Sequence, residues 1–317
     1  MKKIGQFLTQ RWKLLTTTIF LMMNIVAYFH AYKFTHFSDS VVQKSRDASK
    51  MGIGEKLTTL AFGVNNPRPQ NDSFPNLPFE NLGLTDGKTL LAAWYVKVPN
   101  ARGTVAVFHG FSGNRSSMVG QSAYFNQLGF NTLILDFRGT GGSAGNVSTL
   151  GYHEADDVKQ CFEFLKNKGE ENIIFYGESM GAVALLRAAA VHNLKPQKII
   201  AVYPFGSMLK TVQARFRNMG IPSFPMSQLL VFWGGMQHDF WAFSHRPTDY
   251  ATKIEIPTLL MYGEKDKTVS AQETQTIFDN LKGQKILKTF PDAGHENISK
   301  THETDWKKSI EAFLNQK

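Results

Sequence analysis

The stretch Gly177-Glu178-Ser179-Met180-Gly181 restricts what this chain can fold into more than any other. The apolar run Ile173-Ile174-Phe175-Tyr176 leads in, and Ala182-Val183-Ala184-Leu185-Leu186-Arg187-Ala188-Ala189-Ala190 leads out. The first run reads as a buried strand and the second as a helix, so the backbone must turn sharply between them with a serine at the tip. Side chains two residues before and two residues after that serine would strike neighbouring backbone. Glycine at both positions removes the collision.

Strand-like and helix-like runs alternate on either side of this turn, which implies a mainly parallel sheet with helices on both faces. Residues 81–84 and 89–98 flank Thr85-Asp86-Gly87 and predict a hairpin. Further strands are expected at 104–108, 131–136, 173–176, 198–203, 258–262 and 285–290, and helices at 118–128, 154–166, 271–281 and 306–315. The single cysteine, Cys161, rules out an intrachain disulfide or a cysteine metal cluster. It falls in the helical pattern Val158, Cys161, Phe162, Leu165 and reads as a small buried apolar residue.

Four other segments follow predicted strands: His109-Gly110-Phe111-Ser112-Gly113-Asn114, Asp136-Phe137-Arg138-Gly139-Thr140-Gly141-Gly142-Ser143, Gly263-Glu264-Lys265-Asp266 and Ala293-Gly294-His295. Together with the serine turn, in this order, they resemble the α/β-hydrolase-fold serine hydrolases, of a membrane-anchored kind with a modest cap. The resemblance covers roughly residues 80–317. It implies an α/β fold with a mainly parallel sheet, no cofactor and no metal.

A serine hydroxyl is a poor nucleophile until a base takes its proton and an acid holds that base in one tautomer. In this fold the chain order is serine, acid, histidine. The expected set is therefore Ser179, Asp266 and His295, each beyond the carboxyl end of a strand on one edge of the sheet. Glu264 stands as an alternative acid and His302 as an alternative base, whereas Asp292 reads as a solvated loop residue. Met180, next after the nucleophile, offers a backbone N–H to an oxyanion, and the resemblance assigns the second donor to Phe111. His109 and Gly110 are expected to order the Phe111 loop, with Gly177 and Gly181 permitting the turn and Glu178 a structural group. The glycine-rich run at 139–145 lacks the lysine of a phosphate-binding loop, so a nucleotide site is not expected.

Residues 14–32 carry no formal charge over nineteen positions and follow Lys2, Lys3, Arg11 and Lys13. About 20 mostly apolar residues cross a bilayer as a helix. An uncleaved, single-pass signal anchor is expected, with a cleaved signal peptide as its rival. The basic tip places the N-terminus in the cytoplasm and the larger domain on the periplasmic or extracytoplasmic side. Of the net charge of +9, residues 1–57 hold nine Lys/Arg against three Asp/Glu, so the rest has no strong basic surplus and nucleic acid is not an expected partner. The chain thus divides into a tip and anchor at 1–33, a stalk and entry segment at 34–78, and the hydrolase domain at 79–317.

Between Pro204 and Ile254 the alternation breaks, and an insertion at about 205–252 would form the cap. Phe205, Met208, Phe216, Met219, Phe224, Met226, Phe232, Trp233, Met236, Phe240, Trp241 and Phe243 lie in it. These residues either pack the cap's own core or line an adaptable wall for a small-molecule acyl substrate, lipids included. Phe232-Trp233 and Phe240-Trp241 are also residue types that sit at membrane interfaces. The expected activity is hydrolysis of carboxylic esters or thioesters of apolar acyl groups through an acyl-enzyme. A peptidase or amidase would use the same triad, although no propeller domain accompanies it, and a silent membrane-tethered binding module is the non-enzyme alternative. Four N-x-S sequons, at Asn71, Asn114, Asn146 and Asn297, read as chance.

Overall fold

A computed structural model describes residues 2–39 and 51–316. The hairpin signal joins β1 (Phe79–Thr85) to β2 (Leu90–Val96) in antiparallel register, with Asp86 Oδ1 accepting the N–H groups of Lys88 and Thr89 at 2.9 Å each. Then come β3 (Thr104–Phe108), β4 (Asn131–Leu135), β5 (Ile173–Glu178), β6 (Lys198–Val202), β7 (Thr258–Gly263) and β8 (Lys285–Phe290). They form one sheet in the order β1-β2-β4-β3-β5-β6-β7-β8. β2 runs antiparallel to β4, and every later neighbour is parallel. All positions of β3, β4, β5 and β7 are buried, as expected for parallel strands covered on both faces.

Alternate residues of these strands feed two different cores, which is the period of two expressed in packing. Ala106, Phe108 and Phe175 face α4 (Glu154–Asn167), α5 (Met180–Val191) and α9 (Ala271–Asn280), with Cys161 buried among them. Val105, Val107 and Tyr176 face α3 (Val119–Gln127) and α11 (Glu303–Leu314), whose Phe125, Trp306 and Phe313 fill the second layer. α10 (Ile298–Thr301) is a single turn before α11.

The insertion folds into α6 (Met208–Met219), α7 (Met226–Met236), a 3-10 turn at Ala242–Ser244 and α8 (Pro247–Ala251). Phe205, Met208, Val231 and Ala242 pack with Leu150, Val183, Tyr262 and Val269, so the cap sits on the carboxyl edge of the sheet.

The N-terminal helix α1 (Lys2–Thr35) includes Thr9–Thr35, which is long and apolar enough to cross a membrane. Its residues 9–22 are exposed throughout. From Asn24 onward it lies along α7. Trp233 Nε1 donates to Asn24 Oδ1 at 3.2 Å, Gln237 Nε2 donates to the Tyr28 carbonyl at 2.9 Å, and the Tyr28 and Trp233 rings meet edge-on at 5.3 Å.

The segment expected to be a stalk differs from a free tether at both described ends. Phe37 is buried, its N–H donates to the Asn146 carbonyl at 2.7 Å, and Ser38 pairs with Pro67. Asn66 Nδ2 donates to the carbonyls of Lys33 (3.2 Å) and Phe34 (3.0 Å), two of the acceptors a helix end leaves open. Between these contacts α2 (Ile53–Phe62) forms, and Lys56 Nζ donates to the Met219 carbonyl at 3.1 Å, tying α2 to the end of α6. Apolar burial at Phe34 and Phe37 opposes a solvated tether here. Residues 40–50 of that expected stalk lie outside the described residues.

Candidate active site

Parallel register brings the carboxyl ends of β5, β7 and β8 to one rim: Glu178 lies opposite Val202 of β6, Val202 opposite Met261, and Gly263 opposite Phe290. Ser179 follows β5 with φ 49° and ψ −113°, in the left-handed range that L-residues avoid. The glycines around it are sterically required. A Cβ on Gly177 would lie 2.7 Å from the Gly181 carbonyl, and one on Gly181 would lie 2.4 Å from the Phe108 carbonyl oxygen. Ser112, Leu150 and Tyr203 also have positive φ and line the same cavity, a clustering of backbone strain found at working sites.

Ser179 Oγ lies 3.0 Å from His295 Nε2, and His295 Nδ1 lies 2.7 Å from Asp266 Oδ2. The Asp266 side chain is fully buried, and its Oδ1 accepts the N–H groups of Thr268 (2.7 Å) and Val269 (2.9 Å). Those two bonds fix the carboxylate, and the remaining oxygen holds the imidazole with its second nitrogen toward the serine. The Tyr203 ring packs against the imidazole at 4.7 Å. Asp266, and not Glu264, is the carboxylate that meets His295. Asp292 is exposed and pairs with Lys265 at 2.6 Å, while His302 packs on Phe290 instead.

Met180 opens α5, so its N–H is among the first-turn donors a helix leaves without an internal acceptor. Phe111 lies in the loop after β3, and both residues line the cavity at Ser179. Completely buried, His109 accepts the Phe137 N–H at Nε2 (3.1 Å), so its proton sits on Nδ1 and is donated to the Gly110 carbonyl at 2.8 Å. Burial pushes its pKa below the ordinary value, and the N–H of Phe137 holds it in that tautomer. The Gly110 carbonyl also accepts the Gly113 N–H at 3.0 Å. His109 and Gly110 therefore order the Phe111 loop.

Glu178 is buried and accepts hydrogen bonds from Tyr176 (2.6 Å), Gln121 (2.9 Å) and Tyr203 (3.0 Å). It braces the turn and the tyrosine that packs on His295. Asp136 accepts N–H bonds from Arg115 (2.7 Å) and Gly142 (2.9 Å), holding the glycine-rich loop closed. Asn71 and Asn114 of the sequons spend their side-chain amides on Asp136 and the Gln70 carbonyl.

The cavity over Ser179 has a volume of about 660 Å³. Its roof comes from the cap, through Met208, Phe216, Leu230 and Val231. Two walls escaped the sequence reading. One is Tyr203, at the end of β6 on the same rim, where strand position was the available signal. The other is the pair α1 and α2, which the sequence reading took as a membrane anchor and part of a stalk. Among the described residues no group of His, Cys, Asp and Glu is arranged to hold a metal.

The sequence profile of the Prolyl oligopeptidase family matches residues 116–317. The Bacillus subtilis protein YqkD is 28% identical over 71% of this chain and 75% of its own length. The Danio rerio lysophosphatidylserine lipase ABHD12 is 24% identical over 62% of this chain and 53% of its own. Among solved structures, the Pyrococcus furiosus esterase Pf2001 superposes with a TM-score of 0.65 at 23% identity, covering 79% of this chain and 98% of the esterase.

Proposed function

The chain belongs to the prolyl oligopeptidase family and is a serine hydrolase of the α/β-hydrolase fold; we propose that it cleaves carboxylic esters or thioesters of apolar acyl groups through Ser179, His295 and Asp266. The observation that carries this reading is the continuous relay of 3.0 Å from Ser179 to His295 and 2.7 Å from His295 to Asp266.

His295 Nε2 takes the Ser179 proton as Oγ attacks the acyl carbonyl, and Asp266 stabilises the imidazolium. The N–H groups of Met180 and Phe111 receive the negative oxygen of the tetrahedral intermediate. His295 then gives its proton to the leaving alcohol or thiol, and the acyl group stays on Ser179. Water, deprotonated by the same imidazole, releases the acid and regenerates the serine.

Two things support an apolar acyl group. The cavity is roofed by Met208, Phe216, Leu230 and Val231, and an esterase and a lipase stand among the similar proteins. The family's peptidase description favours amides as a second reading. Rates on 4-nitrophenyl acetate, octanoate and dodecanoate, set against peptide 4-nitroanilides, decide between them. Ester cleavage that rises with chain length and vanishes in Ser179→Ala is expected; preferential anilide cleavage would reverse the choice.

The proposal extends to placement. Residues 14–32, within the membrane-length stretch of α1, anchor the protein, and Lys2, Lys3, Arg11 and Lys13 before them keep the N-terminus cytoplasmic, with residues 79–317 on the far side.

A further inference from the structure

We propose that the N-terminal helix is a working wall of the substrate site as well as an anchor, and that the acyl chain lies along its last two turns, entering from bilayer depth. This rests on the hydrolase reading above.

His30, Ala31, Phe34 and Thr35 of α1 line the same cavity as Ser179 and His295. All four fall within the stretch long and apolar enough to cross a membrane. A tether alone has no reason to enter an active-site cavity, and the contacts here are built. Ala27 and Ala31, one turn apart, are buried, and the helix approaches α7 closely enough that a Cβ on Gly234 would lie 4.0 Å from that of Ala31. Small residues on facing positions let two helix backbones approach in this way. Phe34 stacks on Phe111 at 4.8 Å, so the helix end reaches the loop proposed to hold the oxyanion.

The elements that complete this wall turn apolar side chains outward. α7 carries no charged residue from Met226 to Met236, and it lies beside Asn24–Ala31 of α1, the distal part of the candidate span. Met236 on α7 and Phe224 just before it are exposed, as are Ile53, Leu57 and Phe62 on α2 and Ile25 and Phe29 on α1. Exposed large apolar groups concentrated on the helices that roof one cavity mark a surface covered by something apolar. A helix of this length beside them makes that cover the lipid bilayer. An acyl chain residing in the bilayer would then pass between these helices toward Ser179 without crossing water.

The test uses the full chain in lipid nanodiscs and the ratio of kcat/KM for 4-nitrophenyl dodecanoate to that for the acetate. Ala31→Phe fills the wall and should lower this ratio by about tenfold or more, equivalent to losing the burial of roughly two methylenes. Ala31→Leu, a smaller intrusion, should lower it less and carries the test should the phenylalanine variant not fold. Replacing residues 9–22, which are exposed throughout and do not line the cavity, with an unrelated apolar helix should leave the ratio unchanged. An ester-cleaving Ala31 variant with the wild-type ratio overturns the proposal alone. A wild-type protein that cleaves neither ester overturns the ester reading and the proposal with it.

Discussion

At Ser179 one residue meets two separate demands. Its backbone must hold φ 49° so that the hydroxyl projects from the turn, and its neighbours must be small enough for β5 and α5 to pass each other. Gly181→Ala puts a methyl group 2.4 Å from a strand carbonyl that cannot move away, so overpacking should cost more than about 2 kcal/mol, read as a lower unfolding midpoint. The relay makes a sharper demand. Asp266→Asn keeps the shape but offers the imidazole the wrong partner, and kcat should drop by roughly 10⁴ with KM little changed. His302→Ala and Asp292→Ala should leave kcat near wild type, since His302 packs on Phe290 and Asp292 pairs with Lys265 at the surface. The serine, its glycines and the histidine were legible because each has a local signature. Asp266 was preferred to Glu264 on its spacing after Gly263; what no spacing reveals is the pair of backbone bonds from Thr268 and Val269 that fixes its carboxylate.

Two imidazoles tie the cap down, His245 buried and His238 half-buried. His245 is completely buried between the Tyr250 hydroxyl (2.9 Å) and the Leu150 carbonyl (3.1 Å), and burial lowers its pKa from 6.5 to about 4. Burial, with repulsion from His36 and His153, does the same to His238, which lies 2.8 Å from the Thr35 hydroxyl at the seam between α1 and the cap. Between these pKa values the unfolded chain binds protons that the folded chain refuses. Stability is therefore complete above about pH 6.5 and falls as pH drops toward 4. Asp157, whose carboxyl burial pushes up to about 6, acts in the opposite sense over part of that range, so the informative quantity is a difference. His245→Gln should flatten the fall in the thermal unfolding midpoint between pH 6.5 and 4, removing up to about 3 kcal/mol of pH dependence. An unchanged slope would show that His245 takes up its proton in the folded state as readily as in the unfolded. Composition announced an aromatic, methionine-rich insertion, but not that α7 would lie along α1. That seam pairs residues about two hundred positions apart, through small side chains and single hydrogen bonds, and neither leaves a periodic trace.

Across the whole molecule, the sheet was the legible part. Continuous apolar runs punctuated by turns located the buried central strands within a few residues, because burial on both faces leaves little freedom in composition, whereas the exposed edge strand β1 was marked by the turn Thr85-Asp86-Gly87. The entry segment was the opaque part. Phe34, Phe37 and Asn66 are unremarkable in sequence and acquire meaning only where the helix end, the loop at Asn146 and the Phe111 loop meet. The N-terminal helix, the cap and the rim that carries Ser179 and His295 share one cavity. The chemistry proposed for it has Ser179 acylated during turnover. Labelling the full chain with a fluorophosphonate and locating the adduct by peptide mass spectrometry tests this directly. The adduct should fall on Ser179, vanish in Ser179→Ala and form far more slowly in His295→Ala; an adduct on another residue, or undiminished labelling of Ser179→Ala, would contradict it.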